Sequence, residues 1–260
     1  MNPVISMTEL TYKAGKRNII NNVSFSVNRG DFVCFMGPNG AGKSTIIKLL
    51  CGLFKPYSGS VTVMDKEIGC YSKRKLASLV SYIPQFSSGD IHFSVKEYVA
   101  TGRYPYLNAL KGVSVKDKEV VERVMEITSV KDMCERDIST LSGGERQRVM
   151  IAAALAQETD ILLLDEPTIY LDPKSAMDIL ELLAKIHLNG TTMIMVTHDI
   201  NQALMFGSCY IGVREGTVFF NETDPETLAN SGKLDALFDM SFYRFENCGI
   251  SQILPQRSGK

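Results

Sequence analysis

The segment Gly37-Pro38-Asn39-Gly40-Ala41-Gly42-Lys43-Ser44-Thr45 carries what is needed to hold a triphosphate. It fits the pattern G-x-x-x-x-G-K-S/T, in which glycines allow backbone amides to wrap phosphate oxygens. Lys43 then reaches the β and γ groups, and the Ser44 hydroxyl is a ligand for Mg2+. Such a cation needs a carboxylate, and Ile161-Leu162-Leu163-Leu164-Asp165-Glu166 delivers Asp165 to the end of an apolar strand. Glu166, the next residue, can orient or deprotonate an attacking water. Two more strand-like runs end in polar groups suited to the same chemistry. Gln85 follows Leu79-Val80-Ser81-Tyr82-Ile83-Pro84 and can bind the metal or the water and sense the γ-phosphate. His198 follows Met193-Ile194-Met195-Val196-Thr197 and can hydrogen-bond the γ-phosphate and position the water.

A second glycine turn raises a different question. Leu141-Ser142-Gly143-Gly144-Glu145-Arg146-Gln147 opens onto a helix, because Val149, Ala152, Ala153 and Ala156 follow at helical spacing. Glycine weakens a helix start unless the backbone must approach something closely. Bare amides at a helix N-terminus suit an anion such as phosphate. The chain therefore holds two phosphate-seeking turns far apart in sequence.

These groups need rigid carriers. Phe32-Val33-Cys34-Phe35-Met36 reads as a fully buried strand running into Gly37, and Ile46, Ile47, Leu49 and Leu50 mark a helix that ends at Cys51-Gly52. From Val4 to about Val27 the pattern alternates as in β-structure, with Val23, Phe25 and Val27 on one face. Strand-like pieces recur near Val61 to Met64 and Leu79 to Ile83. Between about Ser87 and Leu141 the pattern turns helical: Ser94-Val95-Lys96-Glu97 is a capping box, and Val120, Val124 and Ile127 fall on one helical face. A helix over Ser175 to His187 and a strand over Thr192 to Val196 follow. Buried strands alternating with helices predict an α/β fold with a largely parallel sheet. Past about Asn221 the pattern weakens.

Bulk composition excludes several classes. In 260 residues, 28 Lys and Arg nearly balance 29 Asp and Glu, so no basic field points to nucleic acid and no cationic run to direct lipid attachment. The longest apolar runs are of strand length and no signal peptide opens the chain, so a cytoplasmic protein is expected. Six scattered cysteines without a C-x-x-C pair predict reduced thiols, and His92, His187 and His198 are spaced too far apart for a metal cluster.

With these residues in place, the chain resembles the ATP-binding subunit of an ABC transporter. The match runs over Gly37 to Thr45, Gln85, Leu141 to Gln147, Ile161 to Glu166, Leu171-Asp172 and His198-Asp199, in that order. The resemblance implies a P-loop NTPase core with a mostly parallel sheet, an N-terminal antiparallel β-subdomain and an inserted α-helical subdomain. It places the β-subdomain and core at about 1–86 and 158–222, the helical insert at about 87–157 and a C-terminal extension at about 223–260. It implies ATP and Mg2+ as cofactors, and a head-to-tail homodimer in which Ser142, Gly143 and Gly144 of one copy close on the γ-phosphate held by the other. It also implies that Asp172 links the two sites and that Tyr12 stacks on adenine. A finer resemblance is to importer ATPases for ferric siderophores, haem and cobalamin. Its carriers are Thr101-Gly102-Arg103-Tyr104-Pro105-Tyr106, Ala154-Leu155-Ala156-Gln157 and His198-Asp199-Ile200-Asn201-Gln202-Ala203. That implies transmembrane permease subunits, indirectly a substrate-binding protein, a place on the cytoplasmic face of the membrane and no nucleic acid. Zinc and manganese importers are similar, and a soluble ABC ATPase of iron-sulfur assembly is the rival. Ile169-Tyr170 and Ala154 depart from the family pattern.

Overall fold

The computed structural model describes residues 3–85, 92–107, 112–247 and 250–256, so the boundary expected near residue 87 lies outside the described residues. In chain order the first elements are β1 (Ile5–Ala14), β2 (Arg17–Val27), β3 (Phe32–Met36), α1 (Lys43–Leu50), β4 (Ser58–Val63), β5 (Lys66–Glu67) and α2 (Lys73–Ala77). They continue with β6 (Val80–Ile83), α3 (Val95–Thr101), α4 (Val115–Ile127), α5 (Gly143–Ala156), β7 (Ile161–Asp165) and α6 (Pro173–Leu188). The last are β8 (Thr192–Val196), α7 (Ile200–Phe206), β9 (Cys209–Arg214), β10 (Thr217–Glu222), α8 (Pro225–Asn230), α9 (Lys233–Phe238), β11 (Phe242–Asn247) and β12 (Ile250–Pro255). They form two compact units, residues 1–68 with 194–260, and residues 69–193.

In the first unit a sheet of order β2-β1-β4-β5 pairs Ile5 with Val27 and Met7 with Phe25, which turns alternate apolar residues inward. Every residue of β3 is buried, as a strand covered on both faces requires. Phe35 meets Phe25 edge to face at 5.3 Å, joining the antiparallel sheet to β3. Parallel β9 runs alongside, pairing Cys34 with Tyr210 and Met36 with Gly212, and β10 returns antiparallel to β9. The segment after Asn221, where the sequence pattern is weak, is folded: α8 and α9 follow β10, and β11 pairs with β12. Its elements span six residues each, too few for a period to register. Buried Leu228, Leu234, Leu237 and Ile253 hold it, together with polar contacts such as Arg214 with Asp239 and the Asn201 side chain with both backbone groups of Ile253.

In the second unit β6 lies parallel to β7, pairing Val80 with Ile161 and Ile83 with Leu164. Helices α3, α4 and α5 close around Val95, Val99, Val120, Val121, Val124, Met125, Val149 and Ala152. Ile127, expected on the buried face of α4, is instead 51% exposed, because it is the last residue of a helix whose packed stripe ends at Met125. Ser94 and Ser114 each form a capping box, closing the N-termini of α3 and α4.

Arg103 is buried in this unit and donates to Asp117 (2.9 Å), to Glu158 (2.8 Å) and to the Ala156 carbonyl (2.6 Å). Asp117 also accepts from the Ser114 hydroxyl and amide, and these bonds first, then Arg103, hold its carboxyl down to about 2. A carboxyl depressed below its ordinary value stabilises the fold above that value and loses the effect as pH falls. We expect Arg103→Met to cost about 1.5–3 kcal/mol in urea unfolding, since it removes charge-assisted bonds to Asp117 and Glu158 while Ser114 still holds Asp117. The stability of the unaltered protein should drop as pH falls from about 4 towards 2, within the window of Asp117. A loss below about 1 kcal/mol in Arg103→Met would put this pair in the solvent-screened class.

Candidate active site

The phosphate loop leaves β3 through Gly37, Gly40 and Gly42, all with left-handed φ of 144°, 77° and 106°. A Cβ on Gly37 would lie 2.0 Å from the Val213 carbonyl oxygen of β9, and one on Gly42 would lie 2.6 Å from Ile20 Cδ1. Glycine is thus required by close backbone approach as well as by φ. The loop is tied to its surroundings where the Gly216 amide donates to Ala41 O at 3.0 Å. Gly42 caps α1 without a side-chain hydrogen bond, so that the first turn of the helix, Lys43 to Thr45, begins directly at the loop. The Lys43 ammonium, buried, donates to Gly37 O (2.6 Å) and Pro38 O (2.9 Å). Pro38, Asn39 and Gly40 line a cleft of about 410 Å³ together with Arg17 and Glu215.

His198 follows β8, and Thr197 just before it donates its amide to Phe35 O of β3 at 3.1 Å. His198 is exposed, on the rim from which the phosphate loop departs. Tyr12 is half-buried on β1, paired across the hairpin with Ile20, the residue that abuts Gly42.

The second unit assembles the acids. Asp165 ends β7 and is 2% exposed, accepting from the Tyr82 hydroxyl at 3.4 Å. Gln85, two residues past β6, donates its amide to Glu166 Oε2 at 3.1 Å. Glu166 has φ of 51° and Tyr170 φ of 63°, a left-handed backbone that non-glycine residues adopt only when their surroundings impose it. Neither residue type signals such a conformation, so sequence patterning passes over it. Tyr82 likewise has no local signal; only the pairing of β6 with β7 brings it to Asp165. Within this unit Asp165 and Gln85 each present a side-chain oxygen, the donor type that suits a hard cation taking one or two carboxylates and completing its shell with phosphate and water.

At the second glycine turn, Ser142 is the N-cap of α5, whose helix begins at Gly143. The Ser142 hydroxyl accepts from the Glu145 amide at 3.3 Å, and the Ser142 amide donates to Glu145 at 2.8 Å. These bonds lower the Glu145 pKa. The glycines have a packing role that sequence does not show: a Cβ on Gly144 would lie 3.0 Å from Ser175 Oγ, and one on Gly143 3.1 Å from a Leu171 methyl. Asp172 caps α6, accepting from the Lys174 and Ser175 amides at 3.0 Å and from the Ser175 hydroxyl at 2.6 Å. Asp172, Ser175 and Gly144 are therefore neighbours within one unit.

Against known proteins, the family model described as ABC transporter matches residues 20–169. The chain belongs to the ABC transporter family. The iron(3+)-hydroxamate import ATP-binding protein FhuC of Bacillus subtilis is 36% identical over 86% of this chain and 84% of its own length. A solved structure of a proposed metal-chelate type ABC transporter, in an inward-facing conformation, matches 99% of both chains with a TM-score of 0.85 and 26% identity. A dimeric ATP-binding cassette in a post-hydrolysis state, bound to ADP and phosphate, matches 84% of this chain and 98% of its own with a TM-score of 0.73 and 29% identity. The α/β architecture expected from the motifs is that of the ABC cassettes.

The glycine geometry yields a direct expectation for this ABC family member. Gly37→Ala combines a forbidden φ with a carbonyl clash, and should weaken ATP binding by about tenfold or more, measured by calorimetry. Unchanged affinity would show that the loop relaxes freely away from Val213.

Proposed function

We propose that the chain is the ATP-hydrolysing subunit of an ABC importer for an iron chelate, working as a head-to-tail homodimer on a separate permease. The observation that carries this reading is the Gln85–Glu166 hydrogen bond, whose residue Gln85 directly follows a recess. Pro84 lines that recess, a cavity of about 170 Å³, with Tyr82, Tyr98, Gly102, Met150 and Ala154. A permease segment seated there would touch the chain one residue from a group that holds the proposed base. Ala154, a departure from the family pattern, is small enough to keep the recess open. Tyr104, two residues past Gly102 on the turn gripped by Arg74 through the Pro105 and Leu107 carbonyls, is exposed.

On this reading Glu166 takes the proton of the attacking water, and Gln85 fixes the orientation of that carboxylate. Lys43 and the amides of Gly37, Pro38, Asn39, Gly40, Ala41, Gly42, Ser44 and Thr45 hold the phosphates, and His198 hydrogen-bonds the γ group. Ser44, Asp165 and Gln85 would hold Mg2+, which when bound neutralises charge on the β and γ oxygens. Ser142, Gly143 and Gly144 of the second copy contribute the helix N-terminus that meets the γ-phosphate, Asp172 ties the two sites together, and Tyr12 stacks on the base. ATP closes the pair, and its cleavage to ADP and phosphate releases it. The iron chelate is supported by the hydroxamate importer and the metal-chelate type transporter that the chain resembles. Attachment to the cytoplasmic face through the permease accords with a chain in which no described helix is long and apolar enough to cross a membrane. A substrate-binding protein would choose the cargo and never touch this chain.

Glu166→Gln should lower kcat by about 100-fold or more while ATP still binds, and should accumulate an ATP-bound dimer by size exclusion. Full turnover in that variant would remove Glu166 from the chemistry. Affinity capture from detergent-solubilised membranes should recover a multi-span protein; recovery of soluble scaffold proteins alone would move the assignment to iron-sulfur assembly.

A further inference from the structure

We propose that Arg214 is a positioning residue for ATP binding: it braces, against the C-terminal segment, the hairpin turn that supports the phosphate loop. This rests on the assignment of Gly37 to Thr45 to the phosphates. It gives a role to α9, which the motifs leave unassigned.

The turn joins β9 to β10 through Glu215 and Gly216, with φ of 51° and 76°. Left-handed backbone at both positions is the tight form of a two-residue hairpin turn. The end of β9 and this turn meet the phosphate loop at two points. The Val213 carbonyl fills the space beside Gly37, and the Gly216 amide donates to Ala41 O at 3.0 Å. The turn is also bonded to β2, where the Asn21 amide donates to Gly216 O at 2.8 Å and the Asn21 side chain to Glu215 O at 3.3 Å. A Cβ on Gly216 would lie 2.2 Å from Ile19 O, so the turn has no room to tilt on that side.

Arg214 stands between the two contact points. Its guanidinium forks onto Asp239, with Nη1 3.0 Å from Oδ1 and Nη2 2.6 Å from Oδ2, and it also donates to Ala236 O in α9. The α9 segment has anchors of its own: Leu234 and Leu237 are buried, the Phe242 amide donates to Asp235 at 2.9 Å, and Phe238 meets Phe242 edge to face at 5.9 Å. Leu237, Phe238 and Asp239 line the same cleft of about 410 Å³ as the loop residues Pro38 to Ala41.

Asp239 is exposed, and an exposed ion pair adds little to global stability. Two parallel bonds instead fix direction. The consequence is local, because a loop already held in its binding shape loses less freedom when the ligand arrives. The brace acts on backbone that meets phosphate, so it serves any triphosphate alike.

The test measures Mg2+ complexes of ATP and of inorganic tripolyphosphate by calorimetry, with urea unfolding of each variant alongside. Arg214→Met should raise the Kd for ATP about threefold to tenfold and that for tripolyphosphate by the same factor, while the unfolding midpoint stays in place. Asp239→Asn, at an exposed position, should move both affinities in the same direction by less. The double variant should lose no more than Arg214→Met alone, since both changes break one contact. Unmoved affinities in Arg214→Met, additive losses in the double variant, a loss confined to ATP, or a loss matched by a lowered unfolding midpoint would each overturn the role of Arg214. Lys43→Ala separates the two assignments: if it keeps full affinity for ATP, the phosphate-loop reading itself fails and Arg214 falls with it.

Discussion

The site depends on one steric constraint: the chain must leave a fully buried strand and fold back on itself with no room for a Cβ. The Val213 carbonyl occupies the space that any side chain at Gly37 would need, and Ile20 does the same at Gly42. Bare backbone is what remains, and bare amides are what a polyphosphate requires. The same packing that forbids side chains also holds the amides in place, because β9 and the β1–β2 hairpin are themselves anchored by core residues. Lys43 is kept ready inside this shell by two loop carbonyls.

The acids follow a different logic. Asp165 is delivered by an all-buried strand and steadied by Tyr82, whereas Glu166, one residue later, is released from the ladder in a left-handed conformation and met by Gln85. Strain of this kind costs about 1–3 kcal/mol and survives only where neighbours over-determine it. Arg103 and Asp117 are buried and bonded to each other, and with the Ala156 carbonyl they lock α4 to the end of α5.

Much of the framework was legible along the chain. The run from Phe32 to Met36, the helix after the phosphate loop, the Ser94 capping box and the strand leading to Asp165 were all readable, because each depends on contacts between residues close in sequence. Legibility failed where order comes from distant partners. Ile127 keeps helical spacing yet faces solvent, since the helix outlasts the core it packs on. The C-terminal elements are too short to show a period and are held by pairs such as Arg214 with Asp239, 25 residues apart.

By itself, the sequence determined which residues could bind phosphate, supply a carboxylate or begin a helix, because residue type and spacing settle local backbone freedom and charge. Only the tertiary structure decided which of them meet. Gln85 reaches Glu166 across 81 positions of chain, and Gly144 owes its missing side chain to Ser175 as much as to any anion. Contacts of this kind arise from strand pairing and helix packing, whose partners lie tens of residues away, and no local pattern encodes them.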